Sequence, residues 1–356
     1  MLIKEGEIEV FVDEGVFYNP RMKLNRDITC LVVKVLAKEK RIKFLDLLSA
    51  SGIKGLRVAK ECDVEVCLND VSKKAYENIK KNAKLNKLSV EITNKDANLL
   101  LQERRGYFNF IDIDPFGTPI PFLDNAIMHI KNGYLGVTAT DTAPLCGVYP
   151  EVCFRKYSAL PLKTEFCHEL GLRILLGYIA RTVAKYSKGM RCLFSHSTEH
   201  YFRAYLEIEK GKAKANETLS NLGYLYHCKK CMNGVIEKSL LPETKICECG
   251  EKFSISGILW LGKIKNDKLC DEILKIKEEK LVKIIREELH TPFYYDLHRI
   301  CKKLKICVPK INNTIERLKS MGYNATRTHF SPTGIKTDAK IKTIKGLLLC
   351  NTHKSH

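Results

Sequence analysis

The stretch RIKFLDLLSASGIKGLRVAKEC, residues 41–62, runs from an apolar segment through a loop of small residues into a helix-like pattern. Its first ten residues read as a strand and the remainder as the helix that follows. Between them, Ala50-Ser51-Gly52-x-x-Gly55 is a G-x-G-x-x-G loop whose first glycine is replaced. Such a loop brings backbone N–H groups close to a nucleotide-like ligand, and the start of the helix accepts an anion.

Read outward from there, the pattern repeats. VEVCLND, SVEITNKD, YFNFIDIDPFG and GYLGVTATDT are further strands, each followed by a helical segment. RCLFSHSTEH and YFRAYLEIEK lie too close together for a crossover and close the set as an antiparallel pair. Residues 40–210 are therefore expected to form an α/β domain with a mostly parallel seven-stranded sheet of Rossmann-like type. After Lys210 the alternation stops. GKAKANETLSNLG reads as a polar connector, and residues 211–356 as a smaller basic α+β domain. This second part holds a cysteine module at about 225–255, then helices and a short ribbon that resemble a winged helix.

Three strands end in Asp46, Asp70 and Asp96, which places carboxylates on the sheet edge where open α/β folds bind ligands. Strand-end aspartates also cap helices, so each has a purely structural alternative. Asp70 is placed to take both hydroxyls of a ribose, and Asp96 to accept from an adenine amino group.

Asp114-Pro115-Phe116-Gly117 ends the fourth strand of this alternation. An exocyclic amine on a base is a poor nucleophile because its lone pair is delocalised into the ring. A carboxylate and a neighbouring carbonyl can hold its N–H bonds and turn the lone pair toward a methyl donor. Asp114 is the expected acceptor, Pro115 would present its C=O, and Phe116 would stack on the base. Asp112 is expected on the opposite face of the strand.

Near the N-terminus, EGVFYNPRMKLNRDITC is expected to form a flap over the sheet. There Phe17 is placed to stack on a flipped base, and Arg26, like Arg57 beyond the glycine loop, to pair bidentately with a carboxylate.

The chain carries 60 Lys+Arg against 41 Asp+Glu, a net charge of +19, and the last 56 residues hold 12 basic against 2 acidic. That gradient points to a polyanion gripped by the C-terminal part. No uncharged apolar run approaches the roughly 18 residues of a membrane span. The start lacks the apolar core of a signal peptide, which predicts a cytoplasmic protein with reduced thiols. Among the 15 cysteines, Cys228, Cys231, Cys247 and Cys249 have the spacing of four ligands to a structural zinc ion. His196 and His200, four apart around Glu199, lack a third ligand and read as ordinary core or surface residues.

Taken together, GVFYNPRMKLNRDI, SASGIKGLR, FIDIDPFGTP, GVTATDTAPLCG and ATRTHFSPTGIKT resemble the tRNA (guanine-26-N2) dimethyltransferases of the archaeal and eukaryotic type, from about Phe17 to Thr337. The resemblance implies a class I methyltransferase domain over residues 1–210, S-adenosylmethionine as cofactor and tRNA as partner, gripped by the C-terminal domain. It implies no protein partner. By motif, Arg26 and Arg57 would contact the methionine part of the cofactor, Asp70 the ribose, and Asp96 with the backbone of Ala97 the adenine. Asp114, Pro115 and Phe116 would orient and stack the guanine. Leu48 and Ala50 replace two glycines usual in class I loops, and Asp-Pro-Phe-Gly replaces Asp-Pro-Pro-aromatic. The readings set against this one are a non-catalytic RNA-binding protein on a Rossmann-like scaffold, a nicotinamide-dependent dehydrogenase, and an amine methyltransferase acting on another nucleic acid.

Overall fold

The computed structural model describes residues 1–239 and 241–350, so the last six residues of the expected C-terminal domain lie outside it. The chain begins with a hairpin of β1 (Leu2–Glu5) and β2 (Ile8–Phe11), then enters α1 (Lys23–Ala37). The next 170 or so residues build a sheet of β3 (Lys43–Asp46), β4 (Glu65–Asn69), β5 (Glu91–Thr93), β6 (Phe110–Ile113), β7 (Gly133–Ala139), β8 (Lys188–Thr198) and β9 (Tyr201–Lys210). Its order is β5-β4-β3-β6-β7-β9-β8, parallel through β7 and antiparallel at β9 and β8. The crossovers include α2 (Ile53–Glu61), α3 (Lys73–Leu85), α4 (Ala97–Glu103) and α5 (Ile120–His129). Short α6 (Thr142–Leu145) and α7 (Pro150–Tyr157) lead into the long α8 (Cys167–Lys185).

Covered on both faces, the parallel strands are apolar nearly throughout. Phe44, Phe110 and Tyr134 are register partners across β3, β6 and β7 and pack with α1 on one face. Leu45, Ile111 and Leu135, one residue on, pack with α8 on the other. The order of strand addition reverses at β3, running outward to β4 and β5 on one side and to β6 and β7 on the other, so the carboxyl ends of the parallel β3 and β6 flank the switch point, where open α/β sheets bind ligands.

The connector expected after Lys210 is instead a helix, α9 (Lys212–Leu219). Its Lys, Ala, Glu and Leu are good helix formers, and burial of Ala215 and Thr218 against β8 supplies a one-sided apolar contact. Strands β10 (Leu222–His227), β11 (Gly234–Glu237) and β12 (Ser254–Trp260) form a second sheet. Leu225, Leu259 and Trp260 join the same core as Leu175 and Ile179 of α8. Helices α10 (Asp267–Ile276) and α11 (Lys280–Glu287) contribute Ile273, Val282 and Ile285 to the core beside α1. Hydrophobic packing is thus continuous past residue 210.

The remaining unit runs β13 (Tyr295–Asp296), α12 (Leu297–Leu304), α13 (Ile311–Ser320), β14 (Ala325–Arg327), β15 (Gly334–Thr337) and α14 (Ile341–Leu349). Its strand order is β13-β15-β14, all antiparallel, with two helices preceding the β14–β15 hairpin. Lys336 of β15, fully buried, reaches Glu169 of α8 at 3.1 Å and Glu288 at 2.9 Å, joining this unit to the main body. Among the described residues, no helix is long and apolar enough to cross a membrane.

Candidate active site

A cavity of about 780 Å³ opens at the carboxyl edge of the sheet, bordered by the ends of β3, β4, β6 and β7 and by the N-terminal flap. The loop after β3 forms one wall. Gly52 has φ +79 and Ala50 φ +48, both in the left-handed region, so Ala50 holds its place at a cost of about 1–2 kcal/mol relative to glycine. Gly55 is required by packing: a Cβ there would meet the Leu68 side chain at 2.7 Å. Its N–H donates to Asp46 Oδ2 at 2.9 Å. Burial pushes the Asp46 carboxyl up to about 7, against the pull of the Lys54 ammonium. Asp70 accepts the Ala50 N–H on Oδ2 and the Ser72 N–H on Oδ1, each at 2.8 Å. A carboxylate has about four acceptor sites, so both oxygens keep capacity for a ligand.

Opposite that loop, Asp114, Pro115 and Phe116 line the cavity. Lys54, 7% exposed, hydrogen-bonds Asp112 Oδ2 at 2.7 Å and also Asp114 Oδ2. Arg203, fully buried, pairs with Asp112 Oδ1 and donates to Thr138 Oγ1 at 3.0 Å. The expectation that Asp112 faces away from the site is therefore corrected. Side chains two residues apart share a face of a strand, and here one ammonium bridges both carboxylates. Burial works to raise the pKa of Asp114, but the Lys54 and Arg203 cations outweigh it and hold the carboxyl below the usual range.

Gly117 N–H donates to Thr140 Oγ1 at 2.6 Å, and Thr140 N–H to the Gly117 carbonyl at 2.9 Å, pinning the Asp-Pro-Phe-Gly turn to the end of β7. Phe116 is 91% exposed and Phe17 58%, and their rings meet edge to face at 6.3 Å between centroids. Both line the cavity. Such large bare rings at a cavity mouth are what a stacking ligand would cover. Tyr201 also lines the cavity, and its buried hydroxyl has no hydrogen-bond partner among the described residues.

The two arginines part company. Arg26 borders the cavity, yet its fork is closed by Glu5, with Nε–Oε1 and NH2–Oε2 both at 2.7 Å. Arg57 does not line the cavity. Its guanidinium contacts Glu5 at 2.9 Å, Asp27 at 2.6 Å and Glu61 at 2.7 Å, which leaves the expected contact with a cofactor carboxylate without a free edge of the group. Asp96 also lies outside the cavity lining. Its Oδ1 caps α4 by accepting from Asn98 N at 2.9 Å and Leu99 N at 3.0 Å, with Ala97 buried beneath. The helix-cap alternative describes this aspartate as placed, while Asp46 and Asp70 reach the cavity. His196 is buried against Thr198 at 2.8 Å and His200 sits on the cavity rim.

Sequence reading missed Glu5, Lys54 and Arg203. For Lys54 there was a signal, since a lysine between Gly52 and Gly55 lies where the loop packs most tightly. For Glu5 there was none, because its partners lie 21 and 52 residues away.

The four cysteines of the second sheet converge. Cys228 and Cys249 sulfurs are 3.5 Å apart, Cys231 and Cys247 sulfurs 3.4 Å, and all four lie within 4.8 Å of one another. Tetrahedral zinc with bonds of about 2.3 Å would set sulfurs about 3.8 Å apart, so the cluster is compatible with that ion.

Comparison with known proteins gives a consistent result. The family model for N2,N2-dimethylguanosine tRNA methyltransferase matches residues 1–348. A tRNA (guanine(26)-N(2))-dimethyltransferase of Methanobrevibacter smithii is 47% identical over 355 residues, covering 94% of this chain and 92% of that protein. The protein of the same name from Pyrococcus furiosus is 45% identical, covering 95% of each chain. The structure of Trm1 from Pyrococcus horikoshii in complex with S-adenosyl-L-methionine matches with a TM-score of 0.90 at 42% identity, over 97% of this chain and 98% of that one.

Proposed function

The chain belongs to the N2,N2-dimethylguanosine tRNA methyltransferase family, and from that premise we propose that it transfers methyl groups from S-adenosylmethionine to the exocyclic N2 of guanine 26 in tRNA, giving N2-methyl- and then N2,N2-dimethylguanosine. The observation that carries this reading is Asp114, a carboxylate kept ionised by Lys54 at the edge of a cavity that also contains a nucleoside-type loop and two exposed aromatic rings.

S-adenosylmethionine, when bound, supplies a methyl group made electrophilic by its sulfonium. The donor set suits it: Asp70 offers acceptor capacity to a ribose diol, Leu48 and Ile53 give apolar surface, and Tyr201 has an unmet hydroxyl. Arg26, held by Glu5, would sit beside the methionine part of the cofactor. On the other side Phe116 and Phe17 receive the guanine removed from its stack. With Oδ2 of Asp114 held by Lys54, Oδ1 accepts an N–H of the amine, and the Pro115 carbonyl accepts the other. The nitrogen lone pair is thereby turned out of the ring, and the carboxylate's charge favours the cation forming on nitrogen. After the first transfer the cationic nitrogen gives up one proton, through Asp114 to solvent, which leaves a single N–H, so the amine rotates to return that hydrogen to Asp114 before the second. Residues 1–210 act as the methyltransferase domain, and residues 211–356, with their winged-helix unit and concentrated positive charge, as the part that grips tRNA.

Incubation of unmodified tRNA with the protein and S-adenosylmethionine, followed by mass analysis of nucleosides, tests the assignment. N2-methylguanosine should appear first and convert to the dimethyl form, and a transcript with adenosine at position 26 should stay unmodified. Absence of both products would overturn the reading.

Zinc in the four-cysteine cluster is the second part of the proposal. Beyond Leu225, Leu259 and Trp260, which anchor its sheet on α8, the module's core is little more than Tyr226 and Phe253 beside the cysteines, so metal–thiolate bonds supply most of the order of the cysteine loops. Chelation or Cys247→Ser should abolish hydrogen-exchange protection across residues 228–237, while α8 stays protected. Unchanged protection in that segment would argue against a structural ion.

A further inference from the structure

We propose that Cys146, Cys167 and His168 form a second metal site, separate from the four-cysteine cluster, which takes a thiophilic divalent ion of the zinc class and leaves one coordination position open. The inference does not depend on the methyl-transfer reading.

Cys146 directly follows α6, and Cys167 and His168 are the first two residues of α8. The two segments are 20 residues apart in sequence and meet because α6 packs on the start of α8. One ligand atom from each side chain lies within 4.8 Å of the other two. In a tetrahedral site with Zn–S bonds of about 2.3 Å and Zn–N of about 2.0 Å, ligand atoms sit about 3.5–3.8 Å apart, so each donor has to move by less than about 1 Å. The Cys146 and Cys167 thiols already face each other in a side-chain hydrogen bond, and Cys146 Sγ also makes a weak 3.5 Å hydrogen bond to the Cys167 carbonyl. On binding, the two thiol protons are released to solvent and two metal–thiolate bonds form. The positive end of the 19-residue α8 favours the charge on Cys167.

Exposure is graded across the three. Cys146 is buried, Cys167 half-buried and His168 exposed. The donors therefore approach an ion from the protein side and leave its remaining position to solvent, which separates this site from the closed set of four cysteines. Cys146 ends the segment that leaves β7 through Thr140, and Thr140 lines the cavity. An ion here would tie that wall of the cavity to α8.

The full-length protein, purified from zinc-supplemented cells, is compared with His168→Ala and Cys146→Ser by elemental analysis, and all three are examined by absorption after replacement with cobalt(II). Each variant should carry one metal equivalent less than the parent, and the cobalt spectrum should lose a two-thiolate component while any tetrathiolate component persists. His168 is exposed, so His168→Ala reads the site even if the buried Cys146→Ser fails to fold. Equal metal content in parent and His168→Ala would overturn the proposal, as would a Cys146–Cys167 disulfide in a non-reduced digest of the parent.

Discussion

Exchange of Asp114 for alanine is expected to lower the rate of guanine methylation by roughly 10²–10³-fold or more, the scale set by removing one preorganised polar partner from a developing charge. The loss falls on kcat, because the interaction strengthens as nitrogen becomes cationic and contributes little to binding either ligand. S-adenosylmethionine affinity should stay close to that of the parent, since the ribose partner assigned here, Asp70, belongs to a different strand end. Single-turnover assays with saturating tRNA, paired with calorimetric titration of the cofactor, separate the two. Asp114→Asn keeps the shape and one acceptor oxygen but loses the charge, so its rate should fall between parent and alanine variant. Near-parental turnover in Asp114→Ala would show that the turn serves only the architecture.

The second large effect belongs to Lys54. Among the described residues, Lys54→Met removes the only cation that touches Asp114 and one of two that touch Asp112. Breaking a buried pair from one side costs about 3–5 kcal/mol of stability, because the orphaned charge stays buried. The pH dependence distinguishes this residue from a merely structural one. In the parent, burial raises the Asp114 pKa but the neighbouring cations outweigh it, so the folded-state value lies below the ordinary 3.8. The sign follows: a depressed folded pKa contributes stability that is present above the unfolded value and lost as pH falls through the folded one. Activity through ionised Asp114 should therefore be insensitive to this group through neutral pH. Without Lys54 burial prevails, and the acid limb of the kcat profile should move upward. Lys54→Arg, which keeps the cation, should return the limb most of the way. An unchanged limb in Lys54→Met would show that the lysine does not govern the Asp114 charge.

The sheet was legible because its strands are buried on both faces, so KFLD and FIDI read as apolar runs that carry an aspartate and EVCLN as one followed at once by Asp70. That Asp70, Asp114, Phe116 and Phe17 would share one cavity was legible for a related reason: turn chemistry at a strand end, or bare aromatics in a flap, stands out against such runs. What could not be read was the competition for each charged group. Arg57 follows the glycine loop as a cofactor-binding arginine would, but three carboxylates from β1, α1 and α2 occupy it. Asp96 matches the strand-end pattern, yet the first turn of α4 claims Oδ1. Helix α9 was misread because polarity was taken for a linker, when a helix needing only two buried side chains can be polar almost all round.

The Glu169–Lys336–Glu288 clasp carries a consequence for how one guanine among many is chosen. Swinging that unit away from α8 would take Lys336 from two buried acids, leaving Glu169 with Arg173 alone and Glu288 without its lysine, so the unit is held as a fixed arm rather than a hinged one. A rigid arm works like a caliper: with RNA seated against it as proposed, the base that reaches the cavity would be the one a set span away, and the address would be measured as a length instead of being spelled in neighbouring letters.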